Sequence, residues 1–540
     1  KSNAQNTGGT QLMPFVNILE NGLSIECAEG SVLLNVLHES GCFIESPCAG
    51  TGVCGKCRVR ILGGNASPMT EDEKRLLKPE EIEKGIRLSC MVKVKEDIDI
   101  ELPGQEKGNK VLTSGFMPDF ERDSFDGGYG VAVDIGTTTV VASLIDMKTG
   151  EEIASASEIN AQKRFGLDVL TRITYEYENP EKGCLDLQRA IAGQLDSMIS
   201  KACSDAQVDP SDIREVSVAA NCTMTHMLLG VDARPLGRSP YAPVFKEAKE
   251  VRCCDIGIDV CGEAKLYCLP QVSAYIGADI VAGARVCDME NEKGNALFID
   301  IGTNGEIVLA SGGRLLCCSC AAGPALEGAN ISCGMRAAEG AVEEIEIFED
   351  KTDLKVIGDV HPLGLCGSGI LAAVRELLDK GYVKPSGVFV KKSTEGPGSD
   401  SRLILQGVKR AFALNDNMLI TQDDVRQVQL AKGAILSGFT ALLNKAGIGM
   451  DDLDRVLIAG QFGAHLPAHS LVGVGILPGE VKDKLVYVGN SSKTGAYMAL
   501  MSHKEKKRME ELALKMEYME LAETEGYENL FAGCMIFPKK

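Results

Sequence analysis

One phrase, used twice, constrains this chain more than any other part of it. Tyr129-Gly-Val-Ala-Val-Asp134-Ile-Gly136-Thr137-Thr138-Thr139-Val-Val-Ala-Ser-Leu-Ile-Asp146 reads as a strand, a tight Gly/Thr turn and a second strand. A Walker or dinucleotide-binding turn opens a helix, whereas Val140–Ile145 is too β-branched and apolar for one. The turn therefore offers a phosphate a β-hairpin, with Gly136 and the amides and hydroxyls of Thr137, Thr138 and Thr139 as donors. Asp134 is placed to hold a hydrated Mg²⁺. The phrase returns 166 residues later as Ala296-Leu-Phe-Ile-Asp300-Ile-Gly302-Thr303-Asn304-Gly305-Glu306-Ile-Val-Leu. Two such hairpins, each opening one half of a region, are an internal repeat.

The repeat implies an α/β multidomain chain whose larger part is two RNase H-like lobes, 129–290 and 291–540, of the actin/Hsp70/sugar-kinase type. Arg455-Val-Leu-Ile-Ala-Gly460-Gln461-Phe462-Gly463 is a strand ending in a Gly-containing loop suited to adenosine, although Ala459-Gly460 stands where Gly-Gly is usual. Small-residue helices at Ala274–Ala284 and Gly495–Leu500 are expected to connect the lobes. Gly364-Leu-Cys-Gly367-Ser368-Gly369 opens a helix over Leu371–Leu378, whose N-terminus suits a phosphate. The expected ligands are ATP and Mg²⁺. Asp134, Asp300 and Glu306 are the expected catalytic carboxylates, with Mg²⁺ on Asp134 and Asp300.

Residues 12–103 read differently. Phe15–Leu19 and Leu23–Cys27 are strands joined at Asn21-Gly22, and Ser31 caps a helix ending at Gly41. Strands at Arg58–Leu62 and Val92–Lys95 flank a helix opened by the Thr70-Glu-Asp-Glu73 capping box. That is a β-grasp ferredoxin order. Cys48, Cys54, Cys57 and Cys90 have the spacing C-x5-C-x2-C-x32-C, with Gly50, Gly52 and Gly55 where the chain must bend around two irons. The loop resembles the adrenodoxin kind and predicts a [2Fe–2S] cluster. A zinc site from the same cysteines competes, and the glycines and the adjacent lysine favour the cluster.

Residues 104–128 are rich in Gly, Lys, Asp and Glu and read as a linker. The net charge of −20 argues against nucleic acid or an anionic membrane as partner. No run of 18 apolar residues and no signal segment is found, so a cytoplasmic chain is expected; Ser2-Asn3-Ala4 reads as a cloning remnant. Twenty cysteines then argue for a reducing compartment and metal chemistry.

With both parts in view, the chain resembles the reductive activators of corrinoid-dependent proteins from about Leu12 to Pro538. The likeness includes Ala219-Ala220-Asn221-Cys-Thr-Met-Thr-His226, Leu269-Pro-Gln-Val-Ser-Ala-Tyr-Ile-Gly-Ala-Asp279 and Ala321-Ala-Gly-Pro-Ala-Leu-Glu-Gly328. Where that family has Gly-Asn-Thr-Thr-Met, this chain has Ala220-Asn221-Cys222-Thr223-Met224. The resemblance implies an ATPase coupled to one-electron reduction of Co(II) to Co(I) on a corrinoid protein of a methyltransferase system. It also implies a low-potential electron donor and a homodimer. An archerase-like electron donor to another metalloenzyme is one alternative, opposed by the appended ferredoxin. A non-catalytic iron–sulfur and nucleotide-binding module is the other, opposed by the intact Asp134, Asp300 and Glu306.

Other segments read as structural. Asp359-Val-His361-Pro-Leu-Gly364 matches a corrinoid-ligating signature, but Pro362 constrains the turn and the later Gly-Gly is missing. Cys317, Cys318 and Cys320, and the group Cys253, Cys254, Cys261 and Cys268, read as buried thiols in preference to a second metal centre, as do Cys27 and Cys42. His226 and His465 read as packing residues. Lys504–Lys507 read as a solvated helix face, and Met509, Leu512, Met516 and Met519 as its core side.

Overall fold

A computed structural model describes residues 13–19, 23–39, 44, 52, 57–77, 79–102, 116–166, 168–328, 330–460 and 466–539. The chain divides into two compact units, Lys1–Ser114 and Gly115–Lys540.

In the first unit, β1 (Phe15–Ile18), β2 (Leu23–Glu26), α1 (Leu33–Glu39), β3 (Arg58–Ala66), α2 (Glu71–Leu76), α3 (Pro79–Glu83), β4 (Ile86–Leu88) and β5 (Val94–Glu101) follow in turn. Their sheet order is β2-β1-β5-β3-β4, with β1 parallel to β5 at its centre. Val16, Ile18, Leu33, Leu37, Ile98 and Ile100 close the core. The Thr70–Glu73 capping box is present. Glu73 is also fully buried, and takes a bidentate pair from Arg87 at 2.8 and 2.9 Å. Burial opposes ionisation of Glu73, but Arg87 and the Thr70 and Leu88 amides hold its carboxyl below the ordinary range. Sequence periodicity missed α3 and β4, each too short to show a pattern. The Asn21-Gly22 turn and Gly41 lie outside the described residues.

The second unit begins with β6 (Tyr129–Ile135), β7 (Thr139–Asp146), β8 (Glu151–Ile159), α4 (Val169–Glu178), α5 (Gly183–Ala206), β9 (Ile213–Ala220), α6 (Cys222–Leu228), β10 (Lys249–Arg252), β11 (Lys265–Cys268) and α7 (Ala278–Val286). It repeats with β12 (Ala296–Ile301), β13 (Gly305–Ser311) and β14 (Arg314–Cys320). An excursion follows: β15 (Ala341–Ile347), β16 (Thr352–Val356), β17 (Gly364–Leu365), α8 (Gly367–Asp379), β18 (Leu403–Gln406), β19 (Lys409–Ala413) and β20 (Leu419–Thr421). The chain then returns through α9 (Gln422–Ala446), β21 (Arg455–Ala459), α10 (Ala468–Val474), β22 (Leu485–Gly489), α11 (Ser491–Met501), α12 (His503–Lys515), β23 (Met516–Tyr518) and α13 (Tyr527–Cys534). Its two large sheets run β10-β11-β9-β6-β7-β8 and β22-β21-β12-β13-β14-β23. In each, three antiparallel strands are followed by two parallel ones on the far side of the first strand. The internal repeat is therefore a repeat of topology.

Two helices cross between the halves. α7 packs Gly283 against Phe298 of the second sheet, and α11 packs Leu500 against Gly130 of the first. They meet at Gly495, where a Cβ would lie 2.4 Å from that of Ala282.

Three expectations need correcting. Residues 116–126, expected within the linker, lie along β22 and α11: the Phe116 amide donates to the Val488 carbonyl and the Asp123 amide to that of Met501. Phe120 stands edge-on to Tyr497, and Lys504 pairs with Glu121. The helical spacing read through Met519 breaks at Met516, where β23 pairs in parallel with β14; the methionines are buried as expected. Finally, Lys506 turns inward to Glu215 at 2.6 Å and over the Tyr267 ring, while Lys504 and Lys507 are exposed.

Candidate functional site

In the first unit, Cys57 ends the segment before β3 and Cys90 follows β4, and their sulfurs lie 3.2 Å apart. Strand pairing of β3 with β4 produces this convergence. Gly52 has φ +80°, and a Cβ there would meet Met91 at 2.4 Å, next to Cys90. These positions fit an iron–sulfur centre. Cys48, Cys54, Gly50, Gly55 and Cys42 lie outside the described residues.

In the second unit, the repeated phrase brings carboxylates together from the ends of two central strands. Asp134 ends β6 opposite Val141, and Asp300 ends β12 opposite Glu306. Asp279, on the first turn of α7, joins them. Each keeps one side to solvent while being enclosed by protein. Enclosure, reinforced by the Asp134 charge, pushes the Asp279 carboxyl up to about 7. Enclosure, with Asp279 and Asp134 beside it, pushes Asp300 up to about 8, and Glu306 is raised well above the ordinary range. Burial raises Asp134 too, against hydrogen bonds from Asn490 (2.8 Å) and Ser492 (2.9 Å) and the Lys493 charge. Asn490 caps α11, so Asp134 sits at that helix's N-terminus.

Among the described residues no three His, Cys, Asp or Glu side chains are arranged to hold one ion by themselves. A cation among these carboxylates would keep waters, as Mg²⁺ does. Burial first, and then mutual repulsion, raises these carboxyls, and a cation among them would offset both. The residues present therefore fit Mg²⁺ through Asp134 and Asp300.

The turn residues are firmly placed. The Gly136 amide closes its turn on the Thr139 carbonyl, and the Gly302 amide closes the second on that of Asn304. Thr137 receives Asn221 on its hydroxyl at 3.0 Å and Arg172 on its carbonyl at 2.6 Å. Thr303 donates to Glu327, which fixes the hydroxyl of the second turn. Gly305 pairs with Ile301, and a side chain there would strike Cys320. Gly460 has φ +94°, and a Cβ would lie 2.6 Å from Asp300 Oδ1. Gln461, Phe462, Gly463 and His465 lie outside the described residues. Gly367 is required by packing, since its Cβ would lie 1.9 Å from the Leu326 carbonyl; Ser368 contacts the Cys366 sulfur.

Sequence reasoning left Asp279, Glu327, Asn490 and Ser492 out of the site. The signals were there in part: Asp279 and Glu327 each lie in a phrase of family likeness, and Asn490 follows a strand as a helix cap. Of the other segments, His226 is a packing residue, stacked on Phe245 with Nε2 accepting from the Val244 amide. Cys317, Cys318, Cys320, Cys253, Cys268 and Cys27 are buried, but Cys254 is exposed and Cys261 half-buried. His361 is exposed on the loop before β17.

Three stretches of the chain match described families in order. Residues 16–95 match a 2Fe-2S iron-sulfur cluster binding domain, 129–292 the RACo middle region, and 294–540 the C-terminal domain of RACo, the ASKHA domain. Over 416 residues the chain is 33% identical to "Corrinoid activation enzyme RamQ" of Eubacterium limosum, covering 74% of this chain and 68% of that one. The chain belongs to the reductive activators of corrinoid-dependent proteins. The chain is also 24% identical over 444 residues to "[Co(II) methylated amine-specific corrinoid protein] reductase" of Methanosarcina barkeri, 75% of this chain and 76% of that one. The solved "Reductive activator for corrinoid,iron-sulfur protein" superposes with a TM-score of 0.70 at 29% identity, covering 97% of this chain and 98% of that one. The fold is thus a β-grasp ferredoxin followed by an ASKHA-type pair of lobes. No helix among the described residues is long and apolar enough to cross a membrane.

Proposed function

We propose that this chain is an ATPase that reductively activates a corrinoid protein of a methyltransferase system, delivering one electron that converts substrate Co(II) to Co(I). A [2Fe–2S] cluster, held by Cys48, Cys54, Cys57 and Cys90, would supply the one-electron carrier. A low-potential donor, a cytoplasmic setting and a homodimer complete the reading. The observation that carries it is the gathering of Asp134, Asp300 and Glu306 from two equivalent hairpins with Asp279 from α7, in a chain that also brings Cys57 and Cys90 together.

The residues divide the work. Asp134 and Asp300 would hold hydrated Mg²⁺ against the phosphates, and Asn490 and Ser492 fix the Asp134 carboxylate. Glu306, backed by Ser319 at 3.5 Å, stands where a proton can be taken from a water near Asp300. Thr137–Thr139 and Thr303–Gly305 would provide amides and hydroxyls for the phosphates, while the Gly136 and Gly302 amides hold the two turns closed. ATP is needed because plant-type [2Fe–2S] potentials lie near roughly −400 mV and Co(I) demands a lower one. Each 100 mV uphill costs about 2.3 kcal/mol per electron.

The test is the rate of Co(II)-to-Co(I) conversion on the cognate corrinoid protein, with pre-reduced activator and Mg-ATP. ATP should accelerate it, and Asp300→Asn should lower the ATP-dependent rate about 100-fold, as loss of one preorganised charged group does. A rate indifferent to ATP rejects the coupling.

A further inference from the structure

Arg172 of α4 is fully buried, yet its acceptors among the described residues are all uncharged. Its Nε donates to the Gly166 carbonyl at 3.0 Å. One terminal nitrogen reaches the Gln162 amide oxygen at 3.3 Å and the Met224 sulfur at 3.1 Å, and the other the Thr137 carbonyl at 2.6 Å. Asp168, the cap of the same helix, is committed to the Thr171 amide at 2.8 Å. Burial pushes the guanidinium down to about 10, against the favourable Asp168 charge, so it remains a cation at neutral pH. A buried cation answered only by neutral acceptors is costly to fold around. This one stands directly behind the first hairpin tip.

The carbonyls of that tip are all taken from the protein side. Gly136's accepts from Asn160 Nδ2 at 2.9 Å, Thr137's from Arg172, Thr138's from the Asn160 amide at 2.9 Å, and Thr139's from the Gly136 amide. In a trans peptide the N–H points opposite to the C=O, so the Thr137 and Thr138 amides face away from Asn160 and Arg172. Neither amide has an acceptor among the described residues. Successive amides turned one way make an anion-binding concavity. Asn221 adds to it by donating to the Thr137 hydroxyl, which keeps its own proton to give; the Met224 amide on Asn221 Oδ1 fixes that orientation. The second tip is biased the other way, since the Thr303 hydroxyl is spent on Glu327. We propose that Arg172 is a positioning residue for the phosphates of ATP: through the Thr137 carbonyl it fixes and polarises the peptide whose Thr138 amide meets them, and it brings positive charge to a turn that begins two residues after Asp134. The inference rests on the ATP reading of the proposed function.

Calorimetric titration of the full chain with Mg-ATP, Mg-ADP and adenosine separates charge from shape. Arg172→Gln should weaken Mg-ATP binding about 30-fold, the scale of one charged hydrogen bond, weaken Mg-ADP binding less, and leave adenosine binding unchanged. Arg172→Lys keeps the charge and should recover most of the loss. Equal losses for adenosine and Mg-ATP, no loss at all, or a lysine variant no better than the glutamine one would mean a structural role and overturn the proposal. Should neither variant fold, hydrogen exchange on the wild type decides: bound Mg-ATP should slow the amides of Thr137 and Thr138. Unslowed exchange there, in chain that has bound Mg-ATP, overturns the proposal too. Wild-type chain that binds none of the three ligands would instead remove the ATP reading on which it stands.

Discussion

Asp300 faces Glu306 across β12 and β13, whereas the equivalent Asp134 faces Val141. The repeat is therefore chemically lopsided, with the carboxyl pair in one half and the helix-capped carboxyl in the other. Raised carboxyls make a signed prediction. Unfolded, Asp279 and Asp300 lose their protons near pH 4; folded, they keep them to about 7 and about 8. Between those limits the folded chain binds more protons, so its stability falls as pH rises. Without Mg²⁺ or nucleotide, the melting temperature of the nucleotide unit should decline from pH 5 to pH 8, and Asp279→Asn should flatten the decline. A wild-type melting temperature that rises over that range would contradict the assignment. Asp134, Asp300 and Glu306 were legible because strand alternation and a repeated phrase mark them. Asn490 was not, because its partner is remote: 356 residues separate it from Asp134.

At the level of elements, the crossing of α7 and α11 decides how closely the halves approach. With Ala282 opposite Gly495, the backbones pass where no larger pair fits. Gly495→Val should cost about 1–3 kcal/mol by overpacking. It should also weaken Mg-ATP binding, because α11 carries Asn490 and Ser492 to Asp134. Denaturant melts and nucleotide titration of the same variant check both effects; full nucleotide affinity in a destabilised variant would disconnect the helix from the site. Both crossing helices were visible in sequence as small-residue stretches, each a few residues off in extent. β23 was not, since Met516 continues the spacing of α12 and only pairing with β14 makes a strand there. The stretch 116–126 looked like linker for a related reason: its order comes from β22 and α11, not from any periodicity of its own.

On the scale of the whole molecule, each unit has its own core. Val16, Leu37 and Ile100 anchor one; Phe298, Ile435 and Phe439 belong to the other. Calorimetry should resolve two unfolding transitions. Removing iron with a chelator should lower one and leave the other. Saturating Mg-ATP, at about 100 times its Kd, adds about 2.7 kcal/mol to the second alone. A single transition shifted by both treatments would show that the two units unfold as one. The division itself was readable from the change of motif, from cysteines at ferredoxin spacing to paired hairpins. Its position was not, because residues 116–126 carry the composition of a spacer and the contacts of a packed segment.

Those contacts fix where the packed part of the second unit begins. Phe116 is fastened to Val488, two residues ahead of the asparagine that grips Asp134. Phe116 therefore rides on the strand that leads into α11, and any displacement of β22 carries this residue along.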